Sequence, residues 1–194
     1  MSRGLRLLLA AGGAWLLISG SWIHAKAAFA QILLERAWQQ TIGGASNVRP
    51  WQWADTWPVA RLKIPRLSAS MIVLAGASGR SLAFGPGHTQ GSPLPGEPGT
   101  SIVSGHRDTH FAVLKELRQG DEITIERADG RITHYEVEHL QVADARTMRI
   151  GIVGDENALV LVTCWPFSAI VPGGPFRYVV IAHRRDTSIR SSQH

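Results

Sequence analysis

The chain has 194 residues, 44% of them hydrophobic and 18% charged, a mixture that supports a packed core and excludes a disordered protein. Its length suits one globular domain with an appendage. The net charge of +5 is dispersed, and no basic and aromatic residues interleave as a nucleic-acid surface requires, so that class is set aside.

Arg3 and Arg6 precede an uncharged run from Leu7 to Ile23, at the short end of a bilayer span. The arginines predict a cytoplasmic N-terminus, with Trp22 as an interfacial anchor. Ala25-Lys26-Ala27 and Ala28-Phe29-Ala30 also offer small-x-small sites for signal-peptide cleavage. The run exceeds a usual signal core, and Ala27–Gln40 continues in helix-forming residues. An uncleaved signal anchor over 1–26 is therefore favoured, and either reading exports the body of the protein. A helical extension and linker are expected over 27–56, the globular domain over 57–184, and a disordered polar tail over 185–194.

Ile42–Asn47 reads as a flexible joint. Trp51, Trp53 and Trp57 follow, expected to pack in the core or at an interface. Strands are predicted at Pro58–Ile64, where Ala60, Leu62 and Ile64 alternate with Val59, Arg61 and Lys63, and at Ser70–Leu74. Gly76–Gly99 is a glycine- and proline-dense ordered loop of the kind that often carries function. A strand over Thr100–Ser104 ends at Gly105-His106-Arg107-Asp108, and Phe111–Leu117 can form a short helix capped by Asp108. Glu122–Arg127 and Arg131–Val142 form a hairpin across Asp129-Gly130. Asp144–Ile150 suits a helical turn, and Ala158–Thr163 and Arg177–Ala182 are the last strands. About eight short strands without a βαβ rhythm predict a closed or nearly closed, mostly antiparallel barrel.

Cys164 is the only cysteine and ends an apolar strand. A lone cysteine commonly serves as a small buried hydrophobe. In an exported domain, however, cysteines usually pair as staples, and an unpaired thiol is a liability unless it is well buried or has a role. As a nucleophile it needs a neighbour that stabilises the thiolate, and an imidazolium does so and can protonate a leaving amine. His106 also ends a strand, and neighbouring strand ends can share one rim of a barrel. Arg177 opens the strand after the Pro166–Pro175 loop and could return to that rim to stabilise an oxyanion.

Gly105-His106-Arg107-Asp108-Thr109-His110-Phe111, Val162-Thr163-Cys164-Trp165-Pro166-Phe167 and Phe176-Arg177-Tyr178-Val179-Val180 together resemble the sortases, membrane-anchored cysteine transpeptidases. The likeness runs from about Val59 to Ala182, and the Thr-Cys-Trp-Pro-Phe motif looks most like the class GN sortases of Gram-negative bacteria. The resemblance implies an eight-stranded β-barrel with short helices behind an N-terminal transmembrane helix. It implies His106 as catalytic histidine, Cys164 as nucleophile, Arg177 as positioning or oxyanion residue, and Thr163 at the substrate groove. It further implies an exported protein substrate with a Leu-Pro-x-Thr-Gly-like C-terminal signal, an amine acceptor, and no cofactor or metal. The single-pass protein would sit in the inner membrane with its catalytic domain in the periplasm. The chain departs from the family's Thr-Leu-x-Thr-Cys pattern in having Val160 first.

Three rivals were weighed. His106-x-Asp108-x-His110 carries metal-ligand residue types, but the other histidines form no ligand spacing. A papain-like protease is disfavoured because its nucleophile lies near the mature N-terminus. A non-enzymatic, tethered binding barrel leaves the exported free thiol unexplained.

Overall fold

The computed structural model describes residues 3–147, 157–169 and 173–185, excluding many side chains of the first helix before Ala25. One helix, α1, runs over Arg3–Ile42. The strands are β1 (Pro58–Ile64), β2 (Ala69–Ala75), β3 (Gly87–His88), β4 (Ser101–Ser104), β5 (Glu122–Arg127), β6 (Ile132–Asp144), β7 (Ala158–Cys164) and β8 (Phe176–Arg184). They close in the order β1-β2-β3-β4-β7-β8-β6-β5, so the expected eight-stranded barrel is observed.

Alternation explains the closure. Ala60, Leu62 and Ile64 of β1 are all fully buried, as are Ile123 and Ile125 of β5. They join Val103, Val137, Leu159, Leu161 and Val180 in one core. Phe111 and Leu114, from a 3-10 helix over His110–Glu116, pack against the same core. The barrel is mostly antiparallel, with two parallel pairs, β2–β3 and β4–β7.

The two-residue β3 lies inside the glycine- and proline-dense segment, where no strand pattern is visible. Gly87 brings two backbones so close that a Cβ there would meet the Gly76 carbonyl oxygen at 2.3 Å. Thr109 occupies the cap position of the 3-10 helix without a side-chain capping bond. Asp108 instead accepts from the Arg107 guanidinium at 2.9 Å, which corrects its expected capping role. The α-helix expected at Phe111–Leu117 is this 3-10 helix, starting one residue earlier. Ala145–Thr147 forms a turn as expected, while 148–150 and the tail from 186 lie outside the described residues.

The second half of α1 docks on the barrel's outside. Leu34 and Trp38 are fully buried against Ile72 and Leu74 of β2, each contributing about 1.5–3 kcal/mol by leaving water. Arg61 reinforces the contact, pairing with Glu35 at 2.7 Å while its guanidinium stands 5.7 Å over the Trp38 ring. Of the tryptophan cluster, Trp51 packs edge-on against Phe84 at 4.8 Å, whereas Trp53 is 83% exposed. The expected anchor run falls largely on side chains outside the described set. Among the described residues, no helix is long and apolar enough to cross a membrane.

Asp121 ties the 3-10 region to β5. Its carboxylate accepts from Arg66 Nε and Nη2 at 2.6 and 2.7 Å and from the Arg118 backbone N–H at 2.7 Å. The Arg66 hydrogen bond chiefly holds its pKa below the usual carboxylate value. Partial exposure of Arg66 screens the ion pair, so Asp121→Asn should cost about 1–2 kcal/mol. Because the folded pKa is the lower one, the stabilisation is present above the unfolded value of about 4 and is lost as pH falls through the folded pKa. Denaturant titrations across pH should therefore show a flatter acid limb in Asp121→Asn. An unchanged acid limb would remove Asp121 from this role.

Candidate active site

Three neighbouring strands bring the sequence-predicted trio to one level. β4 and β7 pair in parallel with Ser101 opposite Leu159 and Ser104 opposite Val162. Gly105 N–H then donates to the Val162 carbonyl at 3.0 Å, and the Thr163 hydroxyl donates to the Gly105 carbonyl at 2.7 Å. The pairing therefore continues one residue past the strand, and His106 follows it at the end of β4, the neighbour of the strand that ends in Cys164. On the other flank, β7 and β8 are antiparallel with Cys164 directly opposite Arg177. Directly opposed residues share a face. Cys164 thus stands between the histidine end of β4 and the arginine start of β8.

That face is the outer one. Leu159, Leu161 and, opposite them, Ala182 and Val180 belong to the interior core, so alternation sends Val162 and Cys164 outward. Cys164 is half-buried and His106 is exposed, giving the thiol a solid mount and the imidazole access to solvent and substrate. Thr163 points the opposite way, is 2% exposed and spends its hydroxyl on Gly105. Its side chain is a strut between the two strand ends.

Arg107 is the residue that sequence reading missed. It is 6% exposed, and its guanidinium donates through Nη1 to the Pro166 carbonyl at 2.7 Å and through Nη2 to the Ala169 carbonyl at 2.8 Å. One buried side chain thus fastens the loop after Cys164 to the turn that carries His106. Hydrogen bonding to Asp108 chiefly raises the Arg107 pKa, and the negative charge of a Cys164 thiolate adds to that rise. A buried arginine immediately after the candidate histidine was the available signal, but burial is not visible in a Gly-His-Arg-Asp string.

His110 has its pKa lowered by burial and, secondarily, by the charge of His106. With Asp108 committed to Arg107, the His106-x-Asp108-x-His110 string forms no ligand set. Among the described residues, no group of three or more His, Cys, Asp or Glu could hold a metal.

Aromatic packing fixes the far side of the thiol. Trp165 stacks on Tyr178 at 5.7 Å, and Phe167 meets both rings edge-on at 5.6 and 5.2 Å. The Trp165 backbone N–H donates to the Phe176 carbonyl at 3.1 Å. Arg177 Nη1 donates to the Gly174 and Phe176 carbonyls at 2.7 and 2.9 Å, which steadies the guanidinium at the mouth of the loop. A thiol, an imidazole and a guanidinium on adjacent strand ends supply a nucleophile, an acid/base and an oxyanion partner.

A sortase-domain family profile matches residues 62–185. The chain belongs to the sortase family. Sortase D of Bacillus subtilis (strain 168) is 35% identical over 124 residues, covering 63% of this chain and 62% of that protein. Sortase A from Corynebacterium diphtheriae matches with a TM-score of 0.62 at 25% identity, covering 84% of this chain and 86% of that one. Sortase C-1 from Actinomyces oris matches with a TM-score of 0.57 at 29% identity, covering 66% and 75%. This sortase chain keeps the fold's strand order around its own Gly-His-Arg and Thr-Cys segments.

Gly105 must lack a side chain because a Cβ there would sit 2.6 Å from the buried Phe111 ring. Gly105→Ala should displace either that ring or the His106 turn and lower thiol-dependent peptide cleavage at least tenfold, about the effect of a small misplacement of reacting groups. Thr163→Val, which keeps volume but loses the bond to Gly105, should cost about 1 kcal/mol and lower kcat more than it raises KM. Steady-state kinetics beside thermal unfolding checks both, and wild-type kcat in both variants would refute the strut.

Proposed function

We propose that this sortase is a membrane-anchored cysteine transpeptidase acting on an exported protein with a Leu-Pro-x-Thr-Gly-like C-terminal signal. The observation that carries the reading is that Cys164 stands directly opposite Arg177 across β7 and β8 while His106 lies two residues past the end of β4, which pairs with β7.

The chemistry follows from those positions. The Cys164 thiolate attacks the carbonyl carbon before the scissile bond, and Arg177 offers its positive charge to the oxyanion. As the intermediate collapses, the C–N bond breaks and His106 gives its proton to the departing amine. A thioester on Cys164 remains. An incoming amine attacks it, His106 takes a proton from that amine, and the thiolate is released. Water in place of the amine gives hydrolysis. Arg107 keeps the two halves of the site together and lends charge to the thiolate, a positioning role.

The anchoring reading rests on Arg3, Arg6 and the uncharged Leu7–Ile23 run, with the barrel on the exported side by the distribution of positive charge. The Thr163-Cys164-Trp165-Pro166-Phe167 motif supports assignment to the Gram-negative type, an inner-membrane protein with a periplasmic catalytic domain.

Mass spectrometry of the protein mixed with a panel of sorting-signal peptides should find a thioester at Cys164. It should be absent in Cys164→Ala and unaffected by chelator. Addition of an amine should convert the product from acid to amide. No adduct across a broad panel would favour a binding module, and loss of activity on chelation would favour a metallohydrolase. Arg177→Lys keeps the charge but loses the planar fork, so kcat/KM should fall by about a hundredfold. Wild-type turnover in that variant would remove Arg177 from the reacting set.

A further inference from the structure

Just beyond the proposed anchor, α1 and the barrel enclose an apolar crevice of about 530 Å³, within the size range of small-ligand sites. Phe29 of α1, Trp53 of the linker and Phe84 wall it, while Lys26 and Arg80 bring two cations and Asp55 an opposing charge. Its walls reach into solvent, with Trp53 83% and Phe29 59% exposed, and Trp22, about one turn before Lys26 on α1, is 61% exposed. Trp22, Lys26 and Phe29 follow one another at helical spacing and share a face of α1, and the Lys26 ammonium stands 5.2 Å over the Trp22 ring. These aromatics come from two elements well separated in sequence, and soluble surfaces do not ordinarily gather such rings.

We propose that this crevice seats an anionic phospholipid of the bilayer from which α1 emerges. Its phosphate lies between Lys26 and Arg80, its upper acyl chain lies against Phe29 and Phe84, and Trp22 and Trp53 sit at the headgroup level. Charge and position decide the occupant. The cations outnumber the anion in the lining, and Phe29 lies about two helical turns past Ile23 at the end of the apolar run, with Trp53 and Phe84 beside it in the crevice, where amphipathic rings anchor in an interface. A soluble peptide partner would leave Trp22 and the Lys26 contact without a purpose. The proposal rests on the anchored reading above. It adds that the barrel itself meets the membrane through Trp53, which fixes the barrel's height and tilt because Leu34 and Trp38 already bind it to α1.

The full chain should be reconstituted in nanodiscs of phosphatidylcholine and phosphatidylglycerol, with either lipid brominated in the upper acyl chain. Tryptophan fluorescence should be quenched, and the difference between wild type and Trp53→Ser should show that Trp53 carries part of the quenching. The preference for brominated phosphatidylglycerol over phosphatidylcholine should fall about fivefold in each of Lys26→Gln and Arg80→Gln, the worth of one cation near an anionic surface. Cleavage of a soluble sorting peptide should be unchanged in all three variants. A chain recovered outside the discs overturns both the anchor and this seat. A chain recovered in discs with Trp53 unquenched overturns the seat alone, and two chains per disc with Trp53 shielded but unquenched would assign the crevice to a second copy instead. Equal quenching by the two lipids overturns the anionic headgroup.

Discussion

The structure depends above all on how the parallel β4–β7 pair ends. Parallel neighbours cannot be joined by a tight turn, so nothing local in the chain brings His106 to Cys164. What does so is a ladder running from Ser101–Leu159 to Ser104–Val162. Two terminal bonds then extend it, Gly105 N–H to the Val162 carbonyl and the Thr163 hydroxyl to the Gly105 carbonyl. Those bonds form where the sheet gives way to loop, the place where fraying would cost the site its geometry. Thr163 is suited to the task because alternation buries it while sending Cys164 outward. One residue secures the strand end and its neighbour reacts.

Arg107 solves a second problem at the same rim. The segment after Cys164 leaves the sheet in a turn whose Pro166 carbonyl accepts from the Ala169 backbone N–H, and a single guanidinium from across the site adds donors to the Pro166 and Ala169 carbonyls. Its charge is balanced on the exposed side by Asp108. The side chain that donates to the loop's carbonyls also presents positive charge to Cys164, so loop order and the charge beside the thiol rest on one group. Breaking it would disturb both, which is why its effect on the reaction belongs to positioning.

Strand patterns were legible wherever side chains alternate. Ala60, Leu62 and Ile64 announced the inner face of β1, and Asp129-Gly130 marked the β5–β6 turn. The same logic failed for β3, since Gly87-His88 pairs through backbone alone and a two-residue strand has no period to read. The trio His106, Cys164 and Arg177 was legible as three motif segments, and their common level follows from register, which sequence order does not reveal. The bond from Thr163 to Gly105 was not legible, because its face is decided by the strand's period of two and its partner lies on another strand. Arg107 and the Asp108 contact were hidden for a similar reason: a polar string at a strand end does not disclose which side chain is buried. The docking of α1 was not legible either. Leu34 and Trp38 lie one helical turn apart on what reads simply as a helix-forming stretch, and only their partners Ile72 and Leu74 on β2 show why that face is apolar.

That docking changes what the N-terminal helix does for the barrel. A flexible tether would let the site sample all orientations, and the glycine-rich joint at Ile42–Asn47 suggests such freedom when read alone. The helix precedes that joint, however, and is already clasped to β1 and β2 through Leu34, Trp38 and the Glu35–Arg61 pair. The chain leaves the barrel's flank, turns through the joint and re-enters at β1, so the joint relieves a reversal of direction without loosening the helix. Cys164 then keeps one spatial relation to α1 as long as those contacts hold. Under the proposed transpeptidation, a fixed orientation limits the directions from which an amine can approach Cys164, through the same packing that covers the outside of the barrel.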